Sequence, residues 1–420
     1  MLTKMSVFKR SFIVLVLSLG CLLMAATVFA APLKVAVVET LSGPQASTGL
    51  LYRSAVRYGI DKINADGGWN GGSIQLLEYD NQGGVAGASE KVKAAIADGA
   101  QIIFQGASSA VGGQVTEDIR KFNLRNPGKE VLYMNVGAEA MELTGSKAHF
   151  HMFRISPNAE IRIGAVIEAM KEKGILGKRV YSMNQNYSWG MDVEKTIVDK
   201  SASLGYEVVG KTLHDVNKIQ DFSPYVAKIK SVNANTVITG NWSNDLLLLM
   251  KAANDAGLQV RFGTAFLDQP GNLANAGDTA LGHFIAHDFS LESTGEEGAA
   301  FGEDYKIKTG HYPSYVEPHT VMGIGLLGEA LKNVPAEDGK MNINKLVLAM
   351  EKATYHTPLG KISIRTEDHQ VLLPMVVSEV SKDVKYKMDG TDMGYRPIKI
   401  MTAEEAAAPV QAGTKIVRID

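Results

Sequence analysis

The sequence has one cysteine, Cys21, in 420 residues. It lies within an N-terminal apolar run, so a chain that loses this segment has neither disulfides nor thiol chemistry. Neither sign of charge dominates: 43 Lys and Arg stand against 45 Asp and Glu, a formal net charge of -2. Such a mixed surface argues against nucleic acid or an anionic membrane as partner. Beyond residue 30 no apolar run approaches the roughly 20 residues of a spanning helix, so no membrane insertion is expected once the leader is gone. A P-loop is absent, and Gly106-Ala-Ser-Ser-Ala110 lacks the second glycine of a nucleophile elbow.

Three other patterns suggest chemistry and fail on context. Gly323-Ile-Gly325-Leu-Leu-Gly328 matches a dinucleotide fingerprint but sits inside an apolar helical stretch, not between a strand and a helix. It reads instead as small residues that let helices pack closely. His149-Phe-His151 has no third ligand nearby, and His283-Phe-Ile-Ala-His287 lacks the glutamate of H-E-x-x-H. No metal and no cofactor are expected, and an exported enzyme is the reading with least support.

The N-terminus combines Lys4, Lys9 and Arg10, an apolar run from Phe12 to Met24, and Val28-Phe29-Ala30. This is the pattern of a secretory signal peptide, residues 1–30, with cleavage expected after Ala30. Lipidation at Cys21 is the alternative, but Leu22-Leu23-Met24 is too apolar for a mature start. Removing three positive charges and no acid takes the net charge from -2 to -5 over 390 residues. That length exceeds one ordinary core and implies two domains.

Strands and helices then alternate. Lys34–Thr40 is a continuous apolar run, and Tyr52, Ala55, Val56, Gly59, Ile60 and Ile63 follow at helical spacing. The alternation continues past residue 250, with Phe222, Tyr225, Val226 and Ile229 on one helical face and Leu246, Leu249, Met250 and Ala253 on another. Non-alternating buried strands separated by helices imply parallel sheets covered on both faces. There are enough elements for two such sheets. Residues 296–353 read as mostly helical and 359–388 as short strands.

Several stretches in this order carry a resemblance. Leu41-Ser-Gly-Pro44, Gly59-Ile-Asp-Lys-Ile-Asn-Ala-Asp-Gly-Gly68 and Leu76-Leu-Glu-Tyr-Asp-Asn-Gln82 are followed by Gln105-Gly-Ala-Ser-Ser109. Gly137-Ala-Glu-Ala-Met-Glu-Leu-Thr144, Phe153-Arg-Ile-Ser156, Tyr187-Ser-Trp-Gly190, Asp221-Phe-Ser223 and Thr357-Pro-Leu-Gly-Lys-Ile362 complete the series. Together they resemble the leucine/isoleucine/valine-type periplasmic solute-binding proteins of ABC importers. The resemblance implies an α/β fold of two Rossmann-like lobes with parallel sheets, joined by a three-crossing hinge. The expected lobes are residues 31–153 with 290–355, and 156–283 with 364–420, the crossings lying near 153–156, 283–290 and 355–364.

It also implies a small-molecule ligand between the lobes. In open α/β sheets ligands lie beyond the carboxyl ends of the strands. The opening loop supplies Ser47 and Thr48 as candidates. By position in the family, Ser108 or Ser109 and the run Gly137, Ala138 and Glu139 would hold a ligand carboxylate. Tyr187, Trp189 and Trp242 would form lobe-two walls, each tryptophan offering one N–H donor. Asp268 is the nearest match for an acid that takes a ligand ammonium. Glu139 departs from the usual threonine and would repel an anion unless it turns away as a helix N-terminal acid; both readings stand. The two tryptophans with Glu139 predict a selectivity different from a strict leucine binder. The expected ligand is an amino acid of branched-chain type, or a related hydrophobic or aromatic carboxylate or amide. The expected partner is an inner-membrane ABC permease, the location periplasmic and the protein a monomer. A periplasmic sensor docking on a chemoreceptor or kinase is the alternative.

Overall fold

A computed structural model describes residues 32–419 apart from Asp338. The expected signal peptide, its cleavage point and Cys21 lie outside the described residues. The chain opens with β1 (Leu33–Glu39), α1 (Ala46–Ala65), β2 (Ile74–Asp80), α2 (Val85–Ala97), β3 (Ile102–Gln105), α3 (Ser109–Arg125), β4 (Leu132–Asn135) and β5 (Met152–Arg154). All of these strands pair in parallel. Their apolar side chains are buried on both faces, between α1 on one side and α2 with α3 on the other. This is why the strands read as unbroken apolar runs rather than alternating ones.

The chain then crosses to a second sheet of the same construction. It comprises α4 (Ala159–Glu172), β6 (Arg179–Gln185), α5 (Ser188–Leu204), β7 (Glu207–His214), α6 (Ser223–Ser231), β8 (Thr236–Thr239), α7 (Asn244–Asp255), β9 (Arg261–Thr264), α8 (Asn272–Ala276) and β10 (Phe284–His287). Asn158 ends the first crossing by capping α4, its side chain accepting the Ile161 N–H at 2.8 Å. After β10 the chain returns to the first lobe as α9 (Gly295–Thr309), α10 (Glu317–Leu331) and α11 (Ile343–Met350), followed by β11 (Thr354–Thr357), β12 (Gly360–Arg365) and β13 (Gln370–Leu372). β14 (Met375–Ser381), β15 (Gly394–Met401) and α12 (Ala403–Ala406) finish the chain.

The strand order is β2-β1-β3-β4-β5-β13-β12-β11 in the first sheet and β7-β6-β8-β9-β10-β14-β15 in the second. Strands β11 to β13 therefore belong to the first sheet, through the parallel pairing of Gln370 with Arg154. The third crossing falls after Leu372, later than the expected 355–364. The late strands pair antiparallel as hairpins, and a hairpin's own pattern does not say which sheet edge it extends. The C-terminal tail also departs from its expected place in lobe two. Arg365 donates to the Ala408 carbonyl at 2.6 Å and Arg418 pairs with Glu351 at 2.7 Å, which returns the tail to lobe one.

The Gly-x-Gly segment lies inside α10, as close packing requires. An added methyl at Gly323 would stand 2.4 Å from the Ile155 side chain. Gly323→Val should therefore cost about 1–3 kcal/mol by overpacking, read as a lowered midpoint in urea. Gly84→Ala, with nothing within 4 Å of the added methyl, should cost less, about 0.5–1 kcal/mol, through its N-cap position on α2 alone.

Candidate functional site

The carboxyl ends of the two sheets face each other across a cavity with about 300 Å³ of empty space. From lobe one come Thr48 in the first turn of α1, Ser108 and Ser109 at the start of α3, and Gly137 and Glu139 beyond β4. From lobe two come Tyr187 and Trp189 at the start of α5 and Trp242 beyond β8. These are eight of the residues picked from sequence. Tyr52, Phe266 and Tyr315, with the backbone of Gly106 and Ala107, complete the wall and were not picked.

Three candidates sit elsewhere. Ser47 is exposed, because one residue along a helix turns about 100° away from Thr48. Ala138 is buried beneath its loop, its N–H donating to Asn135 Oδ1 at 2.7 Å and its carbonyl accepting from Asn135 Nδ2 at 2.9 Å. Asp268 lines a separate chamber, and its Oδ2 accepts the Tyr315 N–H at 3.1 Å. Tyr315 thus stands between Asp268 and the main cavity.

On lobe one, Ser108 adopts a left-handed φ of 72°, which re-aims the chain so that α3 starts at the cavity. The Ser109 hydroxyl accepts the Ala140 N–H at 3.1 Å and ties the two loops together. The Thr48 hydroxyl is buried beside the Tyr315 phenol but meets no partner within hydrogen-bond geometry. The hydroxyl end of Tyr52 packs against Gly137, where a methyl group would come 1.6 Å from its hydroxyl, so only glycine fits there.

Beneath this floor sits Glu39, the last residue of β1. Its carboxylate accepts the N–H groups of Gly106 and of Ala107, the latter at 3.1 Å. Burial pushes its carboxyl up to about 8, against the pull of those backbone donors.

On lobe two both indole N–H groups are already committed. Trp189 donates to the Gly240 carbonyl at 2.7 Å and Trp242 to the Tyr187 hydroxyl at 2.6 Å. Contrary to expectation, the tryptophans offer the cavity apolar surface rather than donors. The Trp189 ring lies 5.4 Å from Phe266, and Phe266 meets Tyr315 edge-on at 5.4 Å.

Glu139 resolves its two readings by taking a third course: it faces the cavity but is paired. Its oxygens accept from Arg162 Nε at 3.1 Å and Nη2 at 2.8 Å, with both side chains 3% exposed or less. Arg162 belongs to α4 of lobe two and also reaches Asp288 at 3.4 Å, after β10. Asp288 meets His319 of α10 at 2.8 Å, and the other ring nitrogen of His319 faces the Val136 carbonyl at 2.9 Å. Burial raises the Glu139 carboxyl despite Arg162, whereas for Asp288 the charges of His319 and Arg162 overcome burial and hold it below its ordinary value. Burial works to lower Arg162, but Glu139 and Asp288 more than offset it.

Residues 32–385 match the family described as periplasmic binding protein. The chain belongs to that family. It is 63% identical to the Leu/Ile/Val-binding protein homolog 4 of Brucella abortus over 394 residues, 94% of this chain and 95% of the relative. A solved structure of a leucine-, isoleucine-, valine-, threonine- and alanine-binding protein from Brucella ovis, in a closed conformation, superposes with TM-score 0.88 at 63% identity, covering 93% of this chain and all (100%) of that one. A solute-binding protein from R. palustris in complex with 4-hydroxybenzoate shares the fold alone, with TM-score 0.76 at 19% identity over 89% of this chain and 97% of that one. The two-lobed type I architecture and a solute-binding role of the kind that serves ABC importers follow from membership. The family's location is periplasmic.

Glu39 was legible in principle, since an acid at the carboxyl end of a buried strand is costly without a purpose. Its carboxyl is raised from 4.5 in the unfolded chain to about 8 in the fold, so the folded state holds the extra proton between those values. Stability from this group is therefore present at low pH and lost as pH climbs to about 8. Wild type should lose thermal stability relative to Glu39→Gln across that window, measured as melting temperature against pH. A constant difference between the two would contradict the assignment.

Proposed function

We propose that this protein captures an amino acid of branched-chain type between its lobes and delivers it to an inner-membrane ABC permease. The observation that carries this reading is one cavity with two unlike walls. Lobe one supplies hydroxyls and the start of α3, where free backbone N–H groups and the helix dipole favour a carboxylate. Lobe two supplies Trp189, Trp242 and Phe266, which suit an aliphatic side chain. The names carried by the 63% identical relatives support the same ligand class. Pairing of Glu139 with Arg162 removes the main reason to expect a departure from ordinary amino-acid binding.

Calorimetry with L-leucine, L-isoleucine and L-valine tests the proposal, which falls if none binds. Trp189→Ala should weaken the best of them several-fold to a hundredfold, on the order of 1–3 kcal/mol for a lost contact in a desolvated pocket. Wild-type affinity in that variant would remove Trp189 from the site.

We also propose that the mature chain starts at Ala31 and acts as a monomer. The N-terminal charge and apolar pattern supports the start point. Intact-mass measurement of exported protein should give that start; a lipidated Cys21 species would contradict it.

A further inference from the structure

The cavity wall carries no lysine, arginine or histidine; among the described residues its one acidic or basic side chain is Glu139. The guanidinium of Arg162, directly behind Glu139, is shared between Glu139 and Asp288. A second carboxylate, Glu39, lies under the floor and has taken the N–H groups of Gly106 and Ala107, two donors that an incoming anion would otherwise meet. Among the described residues, the titratable side chains near Glu39 are the phenols of Tyr52 on α1 and Tyr133 on β4, and no cation pairs with it. Desolvating an anion here is therefore repaid by a few hydroxyls and N–H groups and opposed by buried acids. Each Glu139 oxygen accepts one bond from Arg162, which leaves lone pairs free for a donor in the cavity.

We infer that the cavity selects by net charge: it accepts a carboxylate only when an ammonium accompanies it, with Glu139 receiving the ammonium and Glu39, once ionised, penalising the bare anion further. In this assignment Glu139 does the work expected of Asp268, which Tyr315 screens from the cavity. The inference rests on the amino-acid reading above and deepens it. Zwitterionic amino acids fit; the corresponding deaminated acids and simple benzoates do not.

The test is calorimetry with L-leucine, its deaminated analogue 4-methylpentanoate and benzoate, on wild type and Glu39→Gln. Wild type should bind 4-methylpentanoate at least about a hundredfold more weakly than leucine, as expected when buried polar groups lose their partner. At about pH 9, where Glu39 is ionised, the substitution keeps a carbonyl oxygen for Gly106 and Ala107 but removes the charge, and should narrow that gap about tenfold or more. The wild-type gap should also widen between about pH 6 and pH 9 as Glu39 ionises, a readout that survives if the variant does not fold. Equal affinity for leucine and 4-methylpentanoate in wild type would overturn charge selection while leaving solute capture intact. So would a gap that ignores both pH and the substitution. If benzoate binds and leucine does not, the amino-acid reading itself fails.

Discussion

The structure turns on one ion pair that spans the two lobes. Glu139 comes from the loop after β4 and Arg162 from the first turn of α4, and they meet bidentately with almost no exposure to water. Two charges taken out of water cost several kcal/mol each, which a pair repays only with good geometry and further hydrogen bonds. Here Arg162 finds those in the Ala286 carbonyl and Asp288, while Phe266 lies under its guanidinium at 5.1 Å. Asp288 passes the chain of contacts to His319 in lobe one. The network thus joins β4, α4, the second crossing and α10, the elements that must stay in register for the cavity to have a fixed shape. Breaking one partner of such a pair typically costs about 3–5 kcal/mol, because the other charge is left buried and alone.

Other contacts close the lobes around this centre. The Met141 N–H donates to Asp192 at 2.7 Å, and the Tyr386 N–H to Glu292 at 2.7 Å. Both join residues of different lobes, as does the bond from Tyr315 to Asp268. Each is a directional contact between lobes that would have to separate on opening. Function follows from this division: one lobe holds hydroxyls and helix-start donors, the other holds aromatic surface, and only closure brings them to the same solute.

Much of this was readable from the chain. The strands were visible because parallel strands buried on both faces are unbroken apolar runs, as Val35 to Val38 shows with none of its side chains exposed. Ligand loops were visible because they follow those strands. Helix starts were less so: α3 begins at Ser109 and α5 at Ser188, ahead of their apolar stripes, since Ser109 and Trp189 in their first turns face the cavity. Arg162 was invisible, being a charged residue among apolar neighbours in a helix with no local sign of a partner 23 residues away. Tyr315 was invisible for the same reason: its left-handed backbone, φ 58°, is set by loop geometry and not by composition. The late hairpins were recognised as strands but assigned to the third crossing and lobe two, because pairing with β5 is a long-range choice.

The central claim is that ligand in the cavity favours the closed arrangement, through contacts that exist only when the lobes meet. Described residues contain no cysteine, so two can be introduced cleanly. Leu124 lies near the far end of α3 in lobe one and Val198 well along α5 in lobe two, both exposed. Spin labels at Leu124→Cys and Val198→Cys would report the interlobe distance by pulsed electron resonance. Saturating L-leucine should convert a broad or longer distribution into one short, narrow population. An identical distribution with and without a ligand that calorimetry shows to be bound would contradict the account.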